Sequence, residues 1–227
     1  MGAFHPRVEN LPAEFPVFPL TGALLLPRGK LPLNIFEPRY LAMTEDALGA
    51  GRMFGMIQPD PTRPPGPSGL ALYRIGCLGR LSSFSETDDG RYLITLTGLA
   101  RFTISEELAM QRGYRRVRAD FSRYHADLDH ADLDLAAPKL PIARDTLLAA
   151  LRDYFSRAGI EANWDTIRRL PDDMLTITLA MLCPFAAAEK QALLETPTDA
   201  ERAATLLALL RMGATEPDAG GPSRAPS

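Results

Sequence analysis

The spacing of apolar residues along this chain changes its period once, and that change constrains the fold more than any motif does. Up to residue 124 the apolar runs are short and broken by turn residues. They include Phe15–Leu20, Leu31–Phe36, Met53–Ile57, Leu70–Ile75, Leu78–Phe84, Arg91–Thr97, Arg101–Ser105 and Tyr114–Phe121. Such runs, with turns about every ten residues, predict roughly seven or eight strands in a curled antiparallel sheet or small barrel rather than alternating βα units. Proline within the first two runs removes ladder donors and favours edges or bends. Asp88-Asp89-Gly90 predicts a hairpin turn, because glycine accepts the positive φ that such a turn needs. One helix interrupts this half: Pro38 suits a first helical turn, and Tyr40, Met43, Ala47 and Leu48 share a face until Gly49 and Gly51 end it. It is expected to plug or flank the barrel.

The period becomes helical after the acidic stretch His125–Asp134, where His-Ala-Asp-Leu-Asp occurs twice in tandem. Residues 141–158 place Leu147, Leu148, Leu151, Tyr154 and Phe155 on one helical side. Further helices are expected over Pro171–Leu182, Pro184–Leu194 and Thr198–Met212, the last opened by a capping box of Thr198 with Glu201. The organisation read from the sequence is an arm at 1–14, a β-rich part at 15–124, an acidic linker at 125–137, a helical part at 138–213 and a disordered tail at 214–227. The fold class is α+β.

Charge and composition narrow the function. Residues 1–125 hold 15 Lys+Arg against 12 Asp+Glu, and residues 126–227 hold 10 against 16, so the net balance shifts from +3 to −6. That is far from the dense basic field of a dedicated nucleic-acid binder. No apolar run is long enough to cross a bilayer, and the start MGAFHPRVEN has no secretory pattern. A cytoplasmic location is expected. Cys77 and Cys183 both lie in apolar surroundings and are read as buried free thiols.

At Phe18–Met43 the segment FPLTGALLLPRGKLPLNIFEPRYLAM resembles the opening signature of the Lon amino-terminal domain family. Gly55-Met56-Ile57, Ile75-Gly76-Cys77, Asp89-Gly90-Arg91-Tyr92 and Leu96-Thr97-Gly98 through Arg101-Phe102 follow in the order that family shows. LCPFAAAEKQALLE and TPTDAERAATLL are similar to its helical carboxy-terminal part. The resemblance runs from about Phe15 to Met212 and implies a PUA-like β-barrel followed by a helical bundle. It further implies a stand-alone substrate-binding domain that recognises unfolded polypeptides, or an adaptor for a separate protease or chaperone machine. Homo-oligomers are compatible with it.

Within the signature, Gly29 is read as letting the chain turn after Pro27-Arg28, and Glu37 as sitting favourably at a helix amino terminus. Phe36, Arg39, Tyr40, Met53 and Met56 are the candidate polypeptide-binding residues, methionine being adaptable toward varied apolar partners. RNA binding is the alternative, since other PUA-like barrels contact nucleic acid. Its candidates are Tyr114, Arg116 and Arg118, alternate positions of one predicted strand.

No catalytic residue, cofactor or metal is assigned. The sequence has no G-x-x-x-x-G-K-[ST] phosphate loop; Gly29-Lys30 lacks both the preceding glycine and the following hydroxyl. Gly66-Pro67-Ser68-Gly69 imitates part of a Lon nucleophile segment but lies in a proline-rich loop, and the next lysine is Lys139. A serine nucleophile needs a base within hydrogen-bond reach. The repeat His125–Asp134 is read as a solvated acidic linker, because His125 and His130 would diverge on a helix.

Overall fold

The computed structural model describes residues 10–129 and 142–213. The expectations for the arm before residue 10, for 130–141 with the second copy of the repeat, and for the tail after Gly213 lie outside the described residues. The elements are β1 (Glu14–Pro19), β2 (Lys30–Ile35), α1 (Pro38–Gly49), β3 (Met53–Ile57), β4 (Ile75–Glu86), β5 (Tyr92–Gln111) and β6 (Tyr114–Asp120). A 3-10 turn at Ser122–Tyr124 precedes α2 (Ala126–Asp129). Helices α3 (Arg144–Arg157), α4 (Trp164–Arg169), α5 (Asp172–Leu182), α6 (Ala187–Glu195) and α7 (Asp199–Gly213) follow.

Among the described residues six strands form where seven or eight were expected, for two reasons. The runs 91–97 and 101–105 fuse into the 20-residue β5, and most of 70–75 contributes only an isolated bridge, Pro59 to Leu72. The length of β5 closes the barrel. Its residues 92–97 pair with β2, and beyond them the same strand pairs with β6 from Thr103 onward. The sheet order β2-β5-β4-β3-β1-β6 therefore returns to β5, which leaves β2 as an annex outside the ring. One pairing is parallel, β1 with β3 at Val17 opposite Gly55. A parallel pair needs a long crossover, and β2 with α1 supplies it.

The barrel core is Phe15, Val17, Ile57, Leu78, Phe102, Val117 and their neighbours, with the rings of Phe15 and Phe102 edge to face at 5.0 Å. The motif glycines have a spatial role here. A Cβ on Gly76 would stand 2.5 Å from the Phe102 ring, and one on Gly98 would stand 2.0 Å from the Leu26 carbonyl oxygen. Gly98 and the 26–29 segment are stitched by bonds from Arg28 N to Gly98 O and from Gly98 N to Gly29 O, each 2.9 Å. The turn there is not made by Gly29: Arg28 takes the positive φ (69°). Gly29 instead lies where space is tight: a Cβ would meet Met181 Sδ at 2.3 Å, so that flexible side chain would have to move, and the Leu26 carbonyl oxygen at 3.0 Å. The predicted hairpin forms between β4 and β5, with Gly90 at φ 78° and Thr87 N bonded to Arg91 O at 2.9 Å.

The chain divides into two compact units, and the division falls inside α5, between Thr176 and Ile177. The helical part expected over 138–213 is thus split: Ile177–Glu195, the end of α5 and all of α6, clusters with the barrel. Polar contacts explain why. Gln58 Nε2 donates to Ala187 O (3.0 Å) and Gln191 Oε1 (3.2 Å), Gln191 Nε2 donates to Ile75 O (3.1 Å), and Lys190 Nζ donates to Gly22 O (2.8 Å). Buried amides and ammonium groups must find acceptors, and the barrel supplies them.

The acidic stretch also begins differently from the linker expected. Asp127, in the first repeat, is buried on α2 and paired with Arg101 of β5 at 2.7 Å. In the second unit α3 packs on α7, and Leu147, Leu151, Leu206 and Leu210 are fully buried. The capping box forms, with Thr198 N on Glu201 Oε2 at 3.0 Å and Glu201 N on Thr198 Oγ1 at 3.2 Å. Helix α4 is short and absent from the sequence reading; Asn163 caps it through Thr166 N at 3.0 Å.

Candidate functional site

Helix α1 forms where Pro38 supplies its first turn, and it buries Tyr40, Met43 and Ala47 against the barrel. Its acidic residues hold the β5–β6 hairpin. Arg112 reaches Glu45 at 2.8 Å and Asp46 at 2.7 Å, and the Tyr114 hydroxyl donates to Asp46 Oδ2 at 2.7 Å. The Tyr114 hydrogen bond, assisted by Arg112 and Gln111, holds the Asp46 carboxyl below its usual range. Burial first, and then Asp46, push the Tyr114 phenol up to about 12. The hairpin turns through Arg112 (φ 45°) and Gly113 (φ 84°) and comes down onto α1, where a Cβ on Gly113 would stand 3.3 Å from Arg39 Cβ.

That descent leaves a groove of about 230 Å³ between the start of α1, the hairpin and the 59–70 loop. Tyr40 and Tyr114 line it, with Leu70 and Met110, which are 54% and 53% exposed. The remaining side chains that set its chemistry are Arg39 and Arg115, and its lining contains no carboxylate. Arg115 is mostly buried; it donates to Leu70 O at 2.6 Å and to Glu107 Oε2 at 2.5 Å, so it also fixes the loop wall. Arg39 is half exposed, forks onto Glu37 through Nε (3.0 Å) and Nη2 (2.8 Å), and lies 4.6 Å over the Tyr40 ring. Burial raises the Tyr40 pKa, so its phenol stays neutral. Beside the groove a second hollow of about 160 Å³ has mixed charge, with Glu14, Asp46 and Arg116 among its lining.

Of the residues singled out in the sequence, the structure brings Arg39, Tyr40 and Tyr114 to this groove and Met53 and Arg116, again with Tyr114, to the second hollow, while Phe36, Met56 and Arg118 line neither. Phe36 is 61% exposed, with the Arg91 guanidinium 5.8 Å over its ring, and does not line the groove. Met53 is half-buried and lines the second hollow. Met56 is 3% exposed and belongs to the core, which removes it as a contact for any client. The basic strand is neutralised where it stands: Arg116 faces Glu14 at 3.5 Å, and Arg118 pairs with Glu14 at 2.7 Å and with Glu106. Tyr114 lines the second hollow with Arg116, but it is buried, as is Val117 three residues on, so the three do not form one exposed basic face. Register shifts in the β5–β6 pairing break the simple alternation there.

Leu70, Met110 and Arg115 were not among the sequence candidates. The available signal was weak: Leu70 follows a glycine-proline turn, closed here by mutual Gly66 and Gly69 backbone bonds, and only the fold shows that Arg115 faces the loop. Ser68 lines the groove as part of that turn. Among the described residues no three His, Cys, Asp or Glu side chains gather as metal ligands, and no helix is long and apolar enough to cross a membrane.

Comparison with known proteins shows a match over residues 14–212 to the profile of the ATP-dependent protease La (LON) substrate-binding domain. The chain is 25% identical over 140 residues to a Lon protease of Anaeromyxobacter dehalogenans, covering 61% of this chain and 16% of that protein. It is 27% identical over 112 residues to Lon protease 2 of Myxococcus xanthus, covering 49% of this chain and 13% of that one. The chain thus spans a small fraction of these relatives. Among solved structures, a Lon N-terminal domain protein from Xanthomonas campestris superposes with a TM-score of 0.54 at 22% identity, covering 86% of this chain and 97% of the other. The N-terminal domain of a Mycobacterium avium complex Lon protease gives 0.54 at 18% identity, covering 87% and 98%. At these identities the structures establish the shared fold.

Proposed function

The chain belongs to the Lon substrate-binding domain family, and from that premise we propose that it is a non-catalytic module that binds unfolded polypeptide segments. The observation that carries this reading is the groove over α1, where exposed Leu70 and Met110 flank buried tyrosines on a rigid barrel. Large apolar side chains left exposed around one concave site, rather than scattered singly, are of the kind that marks an interaction surface. Methionine at the rim suits partners of varied shape.

The groove's size sets the strength expected. At about 30 Å³ per water-sized group it holds roughly eight non-hydrogen atoms, or about two small side chains. Two buried side chains contribute roughly 3–6 kcal/mol before the costs of ordering the client, so each contact is weak and tolerant of sequence. That profile fits a module that samples many segments and hands them on, whether to a separate protease or to a chaperone machine. Catalysis is no part of the proposal: the sequence carries no phosphate loop, and the match is to a substrate-binding domain.

Anisotropy titration of the full chain with a labelled, permanently unfolded polypeptide and with its folded parent tests the reading. Binding of the unfolded form alone is expected, weakened at least fivefold by Leu70→Glu combined with Met110→Glu. Equal binding of folded and unfolded forms, or no effect of the double substitution, would sink it.

A further inference from the structure

We propose that the groove over α1 selects extended segments in which an apolar residue is neighboured by an aspartate or glutamate side chain. The inference rests on the polypeptide-binding reading above and adds the chemistry of the preferred client. Among the described residues that line the groove the only charged groups are Arg39 and Arg115, so the charge on its lining is cationic, beside the neutral hydroxyls of Ser68, Tyr40 and Tyr114.

The two arginines divide the work. Arg115 is 11% exposed at its side chain and occupied by Leu70 O and Glu107, so its charge is already paired and it shapes the wall. Arg39 is the contact group. Its side chain is 51% exposed, and its bonds to Glu37 use Nε and Nη2 on a carboxylate that is itself 45% exposed. An exposed pair of that kind is held weakly, so a second carboxylate can share or replace Glu37 at little cost. The guanidinium is planar and multidentate and favours carboxylates over neutral amides.

Arg39 also lies over the Tyr40 ring, which places the cation beside the apolar lining rather than away from it. A ligand that fills the groove must therefore put apolar atoms on Leu70, Met110 and the tyrosines and a negative group at Arg39. The capacity of roughly eight non-hydrogen atoms accommodates one leucine-sized and one aspartate-sized side chain. We assign the carboxylate to an internal side chain rather than a chain terminus, because an unfolded client offers many internal segments and a single end.

The test uses labelled extended peptides and the full chain: a central Leu-Asp pair, the same peptide with Leu-Asn, and the Leu-Asn peptide with its C-terminus free or amidated. The Leu-Asp peptide is expected to bind about fivefold tighter than Leu-Asn, the effect of one partly exposed ion pair. Arg39→Gln should reduce that ratio to about one, Arg39→Lys should retain part of it, and high salt should diminish it. Equal binding of Leu-Asp and Leu-Asn to the unsubstituted chain would overturn the acidic preference while leaving the polypeptide reading intact. So would a ratio that survives Arg39→Gln, or a preference confined to the free C-terminus. Displacement of the Leu-Asp peptide by excess inorganic phosphate at unchanged ionic strength would overturn it too, marking the groove as a general anion site. Failure of every peptide to bind would remove both proposals.

Discussion

Breaking the pair Arg101–Asp127 is expected to destabilise the barrel unit more than any surface substitution in it. Arg101 is 4% exposed on β5, and its backbone N and Nε both donate to Asp127 Oδ2 at 2.9 Å, while Nη2 donates to Oδ1 at 2.7 Å. A fourth bond runs from Nη1 to Leu194 O at 3.2 Å, and the guanidinium lies 4.6 Å over the Tyr124 ring. Burial pulls the guanidinium's pKa down, but the Asp127 bonds and charge more than offset it, and the net shift is upward. Asp127→Leu would leave that cation buried without its counter-charge, a loss of about 3–5 kcal/mol, or roughly two to three and a half decades in the folding equilibrium. Arg101→Met should cost a similar amount, by stranding the carboxylate.

The double substitution should be far milder, because an ion pair replaced by apolar groups of similar size can be close to neutral. A coupling energy above about 2 kcal/mol is therefore expected from the cycle. Cys77 provides the probe, since it is buried on β4 directly opposite Arg101. Pulsed thiol labelling along a urea titration reads the opening of this unit. Additivity of the two single costs to within about 0.5 kcal/mol, or single costs below about 1 kcal/mol, would refute the reasoning.

Gly98→Ala forces a Cβ to 2.0 Å from the Leu26 carbonyl oxygen and should cost about 1–3 kcal/mol by urea denaturation, whereas Gly49→Ala, with nothing within 4 Å, should be neutral or stabilising. In an alkaline titration followed by phenolate absorbance, one tyrosine should ionise only near pH 12, and Tyr114→Phe should remove that late step. The same shift sets a pH window: the folded Tyr114 pKa is raised, so its contribution to stability is intact below the unfolded value of about 10 and is lost as pH rises toward 12. For Asp46, whose folded pKa is lowered, the sign is opposite: its contribution is present above an unfolded value of about 3.9 and fades as pH falls, so Asp46→Asn should flatten the acid side of a Tm-versus-pH curve. Cys77 and Cys183 should both resist a thiol reagent in the native state and react together in denaturant, burial also holding the Cys183 thiol up to about 12.

The features legible in the sequence were those whose cause is local. Pro38 followed by Tyr40, Met43 and Ala47 marks a helix wherever it stands, Asp88-Asp89-Gly90 marks a turn, and Thr198 with Glu201 caps its own helix. The strand-rich and helix-rich halves followed from hydrophobic period alone, which each segment carries within itself. Arg39 and Tyr40 were legible as candidates because the signature places them at a strand-to-helix junction. What the tertiary structure alone decided is which distant segments share a surface. Closure of the ring depends on β5 running on past β2 to meet β6, and the pairing of Arg101 with Asp127 spans 26 residues. Helix α6 joins the barrel because Gln58 and Gly22 offer partners to Gln191 and Lys190. Met56 faced inward and Leu70 outward for the same reason: a side chain's exposure is set by what packs over it, and that is fixed only when non-local strands choose their register.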